Sequence, residues 1–530
     1  MLELALYGTL LRFVQALALA APTILVSLFV TGVLRRLVGQ QQTKRIFGGS
    51  GWQSLLQSWI IGMLLPGCSL GVIPISRELR RAGLTGGAVL AFALSQPLFD
   101  PLSLLYGLTL SKPIVVFTFA LCSLVLVMVV GSLWDYFYPD SETREPISPA
   151  VQAGWPRMAS VLLVVFRESA GASMIYMLIG ILGSAILAGM LPHGALQRAM
   201  NGGNPWAPWT MTWVAVPAYS TPTLAMSQLG SMFQHANSAG ASLQLLTLGA
   251  GLNLGLVAWI FVQYGWKKAS AWFAMLIVAG LGMAYAIDGP MHPYDVDPSD
   301  HTHAFDIYCN PYHLGETNLT ILTLARLRET LSPFALAPIV ALLGITLVGL
   351  LLWRIDPHEK IEAWLERREV SRPATKYDII IPAPIVGMTI LVGIFALSIV
   401  GCYAYYPAPK EVFAEMQMVR ADAISSANVG DVAKTSHYIG VWDAWTRRLE
   451  VGVFLRHFQL SRYQHVKAKI LREKLELLRH EVEDGHAEGT KQMVREVHRA
   501  YDRMRDSFAR ELENHPTAAP DAQPVAAPRS

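Results

Sequence analysis

The sequence predicts an all-helical, polytopic membrane protein that carries a charged helical bundle at its C-terminal end. Hydrophobic residues make up 52% of the 530 residues and charged residues only 15%, whereas a soluble domain carries about 25% charge. The charge is also unevenly distributed, because residues 407–530 hold 19 of the basic and 18 of the acidic residues. The third observation is a set of apolar runs long enough to cross a bilayer by helix, which takes about 20 residues.

Net charge, cysteine content and motif content exclude several classes of protein. A net charge of +3 is too small to indicate a nucleic-acid binder. Four scattered cysteines are too few for a disulfide scaffold. Since the sequence contains no GxxxxGK[ST] motif, the chain is not predicted to hydrolyse ATP through a P-loop.

Eight apolar runs are predicted to span the membrane: 11–34, 84–110, 113–134, 171–191, 241–262, 269–287, 333–353 and 379–406. With the N-terminus outside, eighteen Lys and Arg fall in inner loops and four in outer loops, which agrees with the positive-inside rule. For a bacterial envelope, we therefore expect a multi-pass protein of the inner membrane. Its loop 288–316 and its C-terminal region would then lie on the periplasmic or extracellular side.

Two further apolar stretches, 52–76 and 209–230, are interrupted at their centres by proline, glycine and hydroxyl residues, as LLPGCSLGVIPIS (64–76) and VAVPAYSTPT (214–223). Proline removes a helical hydrogen bond, and the freed backbone groups are tolerated only where protein or a water-filled cavity satisfies them. We therefore predict re-entrant or broken helices, with a proline-kinked continuous helix as the alternative. The residues predicted to shape the backbone are Pro66, Gly71, Pro74, Pro97, Pro101, Pro217 and Pro222.

A weak internal repeat relates the two halves of the first 290 residues. Pro66 lies 151 residues before Pro217, and Asp100 lies 153 residues before Asn253. Each copy contains a span, a broken segment, a small-residue span that ends in a polar residue, and another span. The spans that open the two copies are predicted to run in opposite directions. Inverted repeats with discontinuous helices are typical of secondary transporters, whose substrate site lies between the repeats.

The segment LPGCSLGVIPISRELRRAGLTGGAVLAFALSQPLFDP (65–101) resembles the ArsP-type predicted permeases, a family of arsenical-efflux-like permeases. The matching residues are Pro66, Cys68, Ser69, Gly71, Pro74, Gly83, Gly87, Ala91, Phe92, Pro97 and Pro101. The segment VPAYSTPTLA (216–225), with the span that ends at Asn253, looks like the family's second copy. The resemblance covers roughly residues 1–290, and it implies a permease.

Two positions depart from the family pattern. Leu70 stands where the family has a second cysteine, and Asp100 stands where it has asparagine. A pair of cysteines suits soft substrates such as trivalent arsenic, and a single thiol makes a poorer soft site. The resemblance therefore implies transport without carrying over an arsenical substrate.

Asp100 is the most distinctive candidate for a functional residue. It is the only carboxylate between Glu78 and Asp135, and it lies inside an apolar span. An ionisable residue within the membrane is costly and indicates function, and such a carboxyl can bind and release a proton during transport. The alternative is a helix cap, because Asp is a good N-cap and Pro101 suits the first helical position. The two roles are compatible.

The other predicted residues of the substrate or ion pathway carry a thiol, hydroxyl or amide group near the breaks: Cys68, Ser69, Gln96, Tyr219, Ser220, Thr221 and Asn253. A helix that begins near Pro74 would direct free backbone N–H groups at the loop before it, as in many sites for anionic or polar ligands. The alternatives are hydroxyls that satisfy freed backbone groups, and amides that bond between helices.

The loop 288–316 is rich in histidine and aspartate, and it contains no lysine or arginine. Imidazole and carboxylate groups together suit Zn, Cu or Ni, so a divalent metal is the one cofactor that the sequence suggests. The candidate ligands are His292, Asp297, His301, His303, Cys309 and His313. The alternative is a solvated acidic loop.

The C-terminal region has helical periodicity. Trp442, Trp445, Leu449 and Val453 recur on one helical face. Charged runs at 462–483 and 492–512, together with 411–427, predict a small helical bundle. Since it carries no cofactor motif, its predicted role is docking of a protein partner or self-association.

These features predict six regions: a first permease repeat (1–150), a second permease repeat (151–290), a His/Asp-rich extramembrane loop (291–330), two additional membrane helices (331–406), a charged helical domain (407–515) and a disordered tail (516–530). The predicted function is secondary transport, in the direction of efflux, of a small solute or a metalloid or metal species, and not catalysis. The predicted partners are the lipid bilayer and the small-molecule or ion substrate, with no nucleic acid. The alternative is a membrane-anchored metal-binding or assembly protein that acts through the His/Asp-rich loop and the bundle.

Overall fold

The computed structural model describes residues 2–48, 51–110, 112–139, 154–293, 303–312, 318–366 and 381–514. Every regular element in these ranges is a helix, so the predicted all-helical class is confirmed. The chain divides into two compact units, Met1–Ile399 and Val400–Ser530. The helices up to Tyr405 are α1 (Leu2–Val33), α2 (Gly39–Ile46), α3 (Trp52–Leu64), α4 (Val72–Arg81), α5 (Gly86–Ser95), α6 (Pro101–Leu110), α7 (Pro113–Phe137), α8 (Trp155–Ser169), α9 (Ala172–Met190), α10 (Ala207–Ala215), α11 (Pro222–Gln234), α12 (Ala239–Gln244), α13 (Leu254–Tyr264), α14 (Trp266–Asp288), α15 (Leu319–Thr330), α16 (Pro333–Ile355), α17 (Lys360–Glu366) and α18 (Ala383–Tyr405).

Six helical runs in the described part of the chain are long and apolar enough to cross a membrane. They are the continuous run through α1 and α2 (Leu2–Ile46), and α7, α9, α14, α16 and α18. A π-helical turn, Leu34–Val38, joins α1 to α2. These runs coincide with six of the eight predicted spans.

The other two predicted spans differ from the prediction, because each is broken. Residues 84–110 form α5 and α6, two helices of ten residues with a break at 96–100. Ten residues cover only about 15 Å, half of the hydrocarbon core. Residues 239–264 bend by 62° between Ala250 and Leu254, where the helical run that began as α12 ends in a π-helical segment, Leu245–Ala250.

The two interrupted stretches are each divided into two helices, as the proline and glycine content predicts. We call residues 65–71, between α3 and α4, the first break, and residues 216–221, between α10 and α11, the second break. A hydroxyl caps the helix after the second break, because the Thr221 side chain accepts from the backbone N–H of Leu224 at 3.4 Å. Pro222 follows at the first helical position, where its missing N–H costs nothing.

One set of hydrogen bonds ties the start of α5 to the end of α7. The Asp135 carboxylate accepts from the backbone N–H of Gly87 at 2.8 Å and from the Thr85 hydroxyl at 3.0 Å. A Cβ on Gly87 would lie 2.5 Å from the carbonyl oxygen of Gly131, so only glycine allows this close approach of α5 to α7.

The same set recurs 153 residues later, between α12 and α14. The Asp288 carboxylate accepts from the backbone N–H of Gly240 at 2.9 Å and from the Ser238 hydroxyl at 2.7 Å. A Cβ on Gly240 would lie 2.6 Å from the carbonyl oxygen of Ala284. All four positions are offset from their counterparts by the same 153 residues, so the two halves share this local structure as well as sequence.

The second unit is a helical bundle, as the sequence predicts. Its helices are α19 (Pro409–Val429), α20 (Val432–His457), α21 (Arg462–Glu483) and α22 (Ala487–Asn514). Trp442, Leu449, Leu471 and Tyr501 are buried in its core. A capping box formed by Ser461 and Gln464 begins α21. Partner docking through this bundle stays a prediction.

Candidate functional site

The first break packs against α1, which presents hydroxyl groups to it. The Thr23 hydroxyl oxygen lies 2.9 Å from the Sγ of Cys68, and the backbone N–H of Gly71 donates to the same sulfur at 3.4 Å. Ser27, one helical turn beyond Thr23, overlaps the position that a Cβ on Gly71 would occupy. Cys68, Ser69 and Ser27 are fully buried. The thiol predicted from the sequence therefore lies in a polar environment inside an apolar protein.

Gln96, at the end of α5, lies on the other side of the first break. A Cβ on Gly67 would overlap the Nε2 atom of Gln96, so glycine at this position makes room for the amide. Gln96 is fully buried, and neither of its polar side-chain atoms has a hydrogen-bond partner among the described residues. An amide in this state is a candidate ligand group, because buried polar atoms are nearly always hydrogen-bonded.

The second break contacts the first. The backbone N–H of Tyr219 donates to the Ser184 hydroxyl of α9 at 3.0 Å. The Tyr219 hydroxyl lies within interaction distance of Cys68 and Thr23, but it makes no hydrogen bond of good geometry to any described residue. The two breaks therefore touch at Cys68 and Tyr219. Thr23 of α1 supplies a hydroxyl to the first break, and Ser184 of α9 supplies one to the second break.

Asp100 caps α6. Its Oδ1 accepts from the backbone N–H of Ser103 at 2.6 Å, and its own backbone N–H donates to the Ser103 hydroxyl at 2.9 Å. The helix-cap alternative for Asp100 is thus the geometry that the structure has. The proton-coupling role is compatible with that geometry and stays a prediction.

Asn253 caps α13 in the same way, 153 residues after Asp100. Its Oδ1 accepts from the backbone N–H of Leu256 at 2.9 Å, while its Nδ2 has no hydrogen-bond partner in the described ranges. A Cβ on Gly180 of α9 would lie 2.6 Å from this Oδ1 and equally close to the Leu70 side chain of the first break. Asn253 is therefore close to the region where the two breaks meet.

Tyr308 is a site residue that sequence reasoning missed. Its hydroxyl donates to the Oε1 of Gln228 on α11 at 2.9 Å and interacts with Ser220 of the second break. Burial raises the pKa of Tyr308 to about 12, although Ser220 and Gln228 oppose this shift, so the hydroxyl stays protonated at neutral pH. No local pattern in the sequence links residue 308 to residue 220.

The thiol and imidazole groups of the loop 288–316 do not gather in the part that the structure describes. His292 lies against Gly202, and Cys309 is buried. No three His, Cys, Asp or Glu side chains come together as a metal site among the described residues. Of the other predicted ligands, His303 begins a short 3₁₀ turn, and Asp297, His301 and His313 lie outside the described residues. The metal site stays a prediction.

A buried ion network joins the π-helical turn that follows α1 to α4 and α8. Arg35 pairs with Glu78 at 2.7 Å and with Glu168 at 3.3 Å, and Arg77 pairs with Glu168 and with the Ser173 hydroxyl. Burial alone would raise the pKa of Glu168, but Arg77 and Arg35 hold it below its usual value. Sequence reasoning counted these arginines as loop charges and did not consider Glu168. The signal available was an Arg-Glu pair, residues 167 and 168, next to an apolar run.

Several buried polar atoms that lack a partner among the described residues lie around the contact between the breaks. Those in the described ranges that lie on the breaks or on residues next to them are Ser27 Oγ, Ser69 Oγ, Gln96 Oε1 and Nε2, Tyr219 Oη and Asn253 Nδ2. Only a few such atoms per 100 residues are expected in a native protein. The contact between the breaks therefore offers hydroxyl, amide and thiol groups that can bind a small polar species.

Comparison with known proteins gives two similarities. The sequence pattern of the ArsP_1 family, described as a predicted permease, matches residues 6–288. The UPF0718 protein YcgR of Bacillus subtilis (strain 168) is 28% identical over 139 residues, which are 26% of this chain and 47% of that protein. The match thus spans about half the length of that relative. No solved structure matches the chain.

Proposed function

Because this chain belongs to the ArsP_1 family of predicted permeases and is a multi-pass membrane protein, we propose that it is a secondary transporter whose substrate passes between the two breaks. The substrate class is a small solute or a metalloid or metal species, and the direction is export. In this proposal the protein moves its substrate without chemical change.

The observation that carries the proposal is the contact of Cys68 with Tyr219, surrounded by buried polar atoms that lack partners among the described residues. Irregular backbone and unpaired polar groups are tolerated at membrane depth only where protein encloses them or where they line a cavity. A transporter has a reason to keep such groups, because they can bind a substrate weakly enough to release it.

The length of α1 supports a position near the middle of the membrane. Arg12 bonds to the loop residue Cys309 near one end of this helix, and Arg35 belongs to the ion network at the other end. Thr23, which contacts Cys68, lies eleven residues after Arg12 and twelve residues before Arg35. At 1.5 Å per residue these separations are about 17 and 18 Å. The sum is close to the roughly 30 Å thickness of the hydrocarbon core.

The repeated structure supports an inverted-repeat arrangement. Cys68 and Tyr219 are 151 residues apart, like Pro66 and Pro217, so they are equivalent positions of the two copies, and they contact each other. In a two-fold arrangement, only residues near the axis touch their own counterparts. Substrate sites of transporters built from inverted repeats lie at this place.

Ligand-dependent thermal stability of the purified protein tests the proposed site. A ligand that binds only the folded state at 100 times its Kd adds about 2.7 kcal/mol of stability. Trivalent metalloids, divalent metals and organic anions are to be screened, and at least one is expected to raise the Tm of the wild type. Gln96→Leu should abolish that shift, whereas Gln53→Leu, on an exposed residue of α3, should preserve it. A shift that is equal in Gln96→Leu and wild type would place the ligand elsewhere.

A further inference from the structure

Residues 303–312, which we call the plug segment, form no long helix, yet most of the side chains from 304 to 312 are buried in the first unit, which we call the membrane unit. They comprise the 3₁₀ turn His303–Tyr308 and four further residues. Phe305, Tyr308, Cys309 and Tyr312 are each only 1% exposed. Connecting segments usually run over the surface and keep their backbone solvated, so such complete burial requires a particular explanation.

The plug segment is anchored to α1 by an arginine. The Arg12 guanidinium donates to the carbonyl oxygen of Cys309 at 2.8 and 3.2 Å, and also to that of Asp306. These are charge-assisted bonds to main-chain groups, which water can replace if the segment withdraws.

A second anchor, Asn310, ties the plug segment to the C-terminal end of α9 and to the N-terminal end of α1. Asn310 donates through Nδ2 to the carbonyl oxygens of Gly189 at 2.7 Å and of Leu4 at 3.1 Å, and through its backbone N–H to that of Leu191 at 2.8 Å. A Cβ on Gly8 would lie 2.8 Å from this Nδ2. The plug segment therefore holds together the ends of the two long helices that flank the breaks.

Tyr308 links the plug segment to α11 and to the second break. Its hydroxyl bonds to Gln228 on α11 and reaches Ser220 of the second break. The ring is thus packed between the two anchors and a residue of the proposed pathway.

We propose that Tyr308 is the gate residue of the pathway on the face that carries the plug segment. When Tyr308 is bonded to Gln228, the pathway is closed on that face, and a solute passes only after Tyr308 separates from Gln228 and Ser220. This inference rests on the proposed function, because it concerns access to the contact between the breaks.

The native thiol of Cys68 provides the test. In a background with Cys122→Ala, Cys309→Ala and Cys402→Ala, Cys68 is the single thiol. A membrane-impermeant maleimide is added to one face of oriented sealed vesicles and then, separately, to the other face. The rate of Cys68 modification is measured for each face, and a small permeant thiol reagent measures whether Cys68 can be reached at all.

Tyr308→Phe should accelerate modification from one face only, by about threefold to tenfold, since it removes one buried hydrogen bond. Arg12→Gln, which weakens the anchor, should accelerate modification from the same face. Tyr285→Phe is the matched control, because it removes an exposed hydroxyl that bonds to the carbonyl oxygen of Pro205 at 3.0 Å, and it should leave both rates unchanged.

Three results would overturn the gate. They are unchanged rates in both Tyr308→Phe and Arg12→Gln, equal acceleration from both faces, and the same acceleration in Tyr285→Phe. A different result would overturn the proposed function itself: failure of the permeant reagent to modify Cys68 in any variant. The two failures are therefore distinguishable, and a Tm measured for each variant separates gating from loss of fold.

Discussion

Removal of the Asp135 or Asp288 carboxylate should destabilise the membrane unit by similar amounts. Each carboxylate accepts one backbone N–H and one hydroxyl at the start of a helix, where the helix dipole also favours negative charge. A hydrogen bond to a charged group contributes about 1.5–3 kcal/mol, and two bonds to one group are not additive. We therefore expect Asp135→Ala and Asp288→Ala each to lower the free energy of unfolding by about 2–4 kcal/mol.

The asparagine variants should separate the two sites. Asp288 accepts both bonds on Oδ1, so Asn can keep both acceptor contacts, and the expected loss is below about 1 kcal/mol. Asp135 uses Oδ1 for Gly87 and Oδ2 for Thr85. Asn places a donor at one of these positions, and the expected loss is about 1–2 kcal/mol.

Unfolding in mixed detergent micelles, followed by circular dichroism, gives these free energies. A loss of less than about 0.5 kcal/mol in either alanine variant, or a difference of more than about 2 kcal/mol between the two, would contradict this prediction. Either result would mean that the 153-residue correspondence in hydrogen bonding does not reflect a correspondence in stability.

Three further predictions concern single residues. Asp100→Asn should leave the Tm unchanged, because Asn caps a helix about as well as Asp. If Asp100 couples transport to protons, the same variant should remove the pH dependence of flux between pH 5 and 8. An identical pH profile in wild type and variant would eliminate the coupling role. Gly67→Ala should displace the Gln96 side chain and lower flux at least tenfold, at a stability cost of about 1–3 kcal/mol. Gly282→Ala is the control, because a Cβ there meets no atom within 4 Å, and it should change neither flux nor stability. Equal flux in the two variants would contradict the site. Asp431 caps α20 through the backbone N–H of Lys434, which lowers the pKa of Asp431, so the cap stabilises the bundle above the usual aspartate pKa and is lost as the pH falls through the lowered value. Asp431→Ala should therefore cost about 1 kcal/mol at pH 7, with a difference from wild type that shrinks towards pH 3 in thermal unfolding; a difference that is constant across this range would contradict the assignment.

The breaks were predictable because their causes are local. Pro66, Pro74, Pro217 and Pro222 act on the backbone at their own positions, so their effect can be recognised without knowledge of the fold. The bundle helix Val432–His457 was predictable for a similar reason, since Trp442, Trp445, Leu449 and Val453 recur with helical spacing.

Two spans were expected to be continuous because hydropathy reports only how apolar a run is. The break at 96–100 depends on the cap formed by Asp100 and Ser103, and the bend before Leu254 depends on the cap by Asn253. A single polar residue hardly changes the mean hydropathy of a run, yet as an N-cap it begins a new helix and so marks where the run divides.

Contacts between distant residues were not predictable from one sequence. Thr23 and Ser27 are hydroxyls in an apolar run, and such residues commonly bond to the backbone of their own helix. Their position against the first break is set by the packing of α1. The contact of Tyr308 with Gln228 closes a loop of 80 residues, and no periodicity within either segment encodes it.

Solute flux in sealed proteoliposomes measures whether the substrate crosses the membrane between the two breaks. The solutes that stabilise the purified protein are loaded inside, and their release is followed for wild type, Gln96→Leu and Gln53→Leu. Wild type and Gln53→Leu should release the solute well above the rate of protein-free liposomes, and Gln96→Leu should release it at least tenfold more slowly. Release at the protein-free rate in wild type, or equal release in all three proteins, would contradict passage between the breaks.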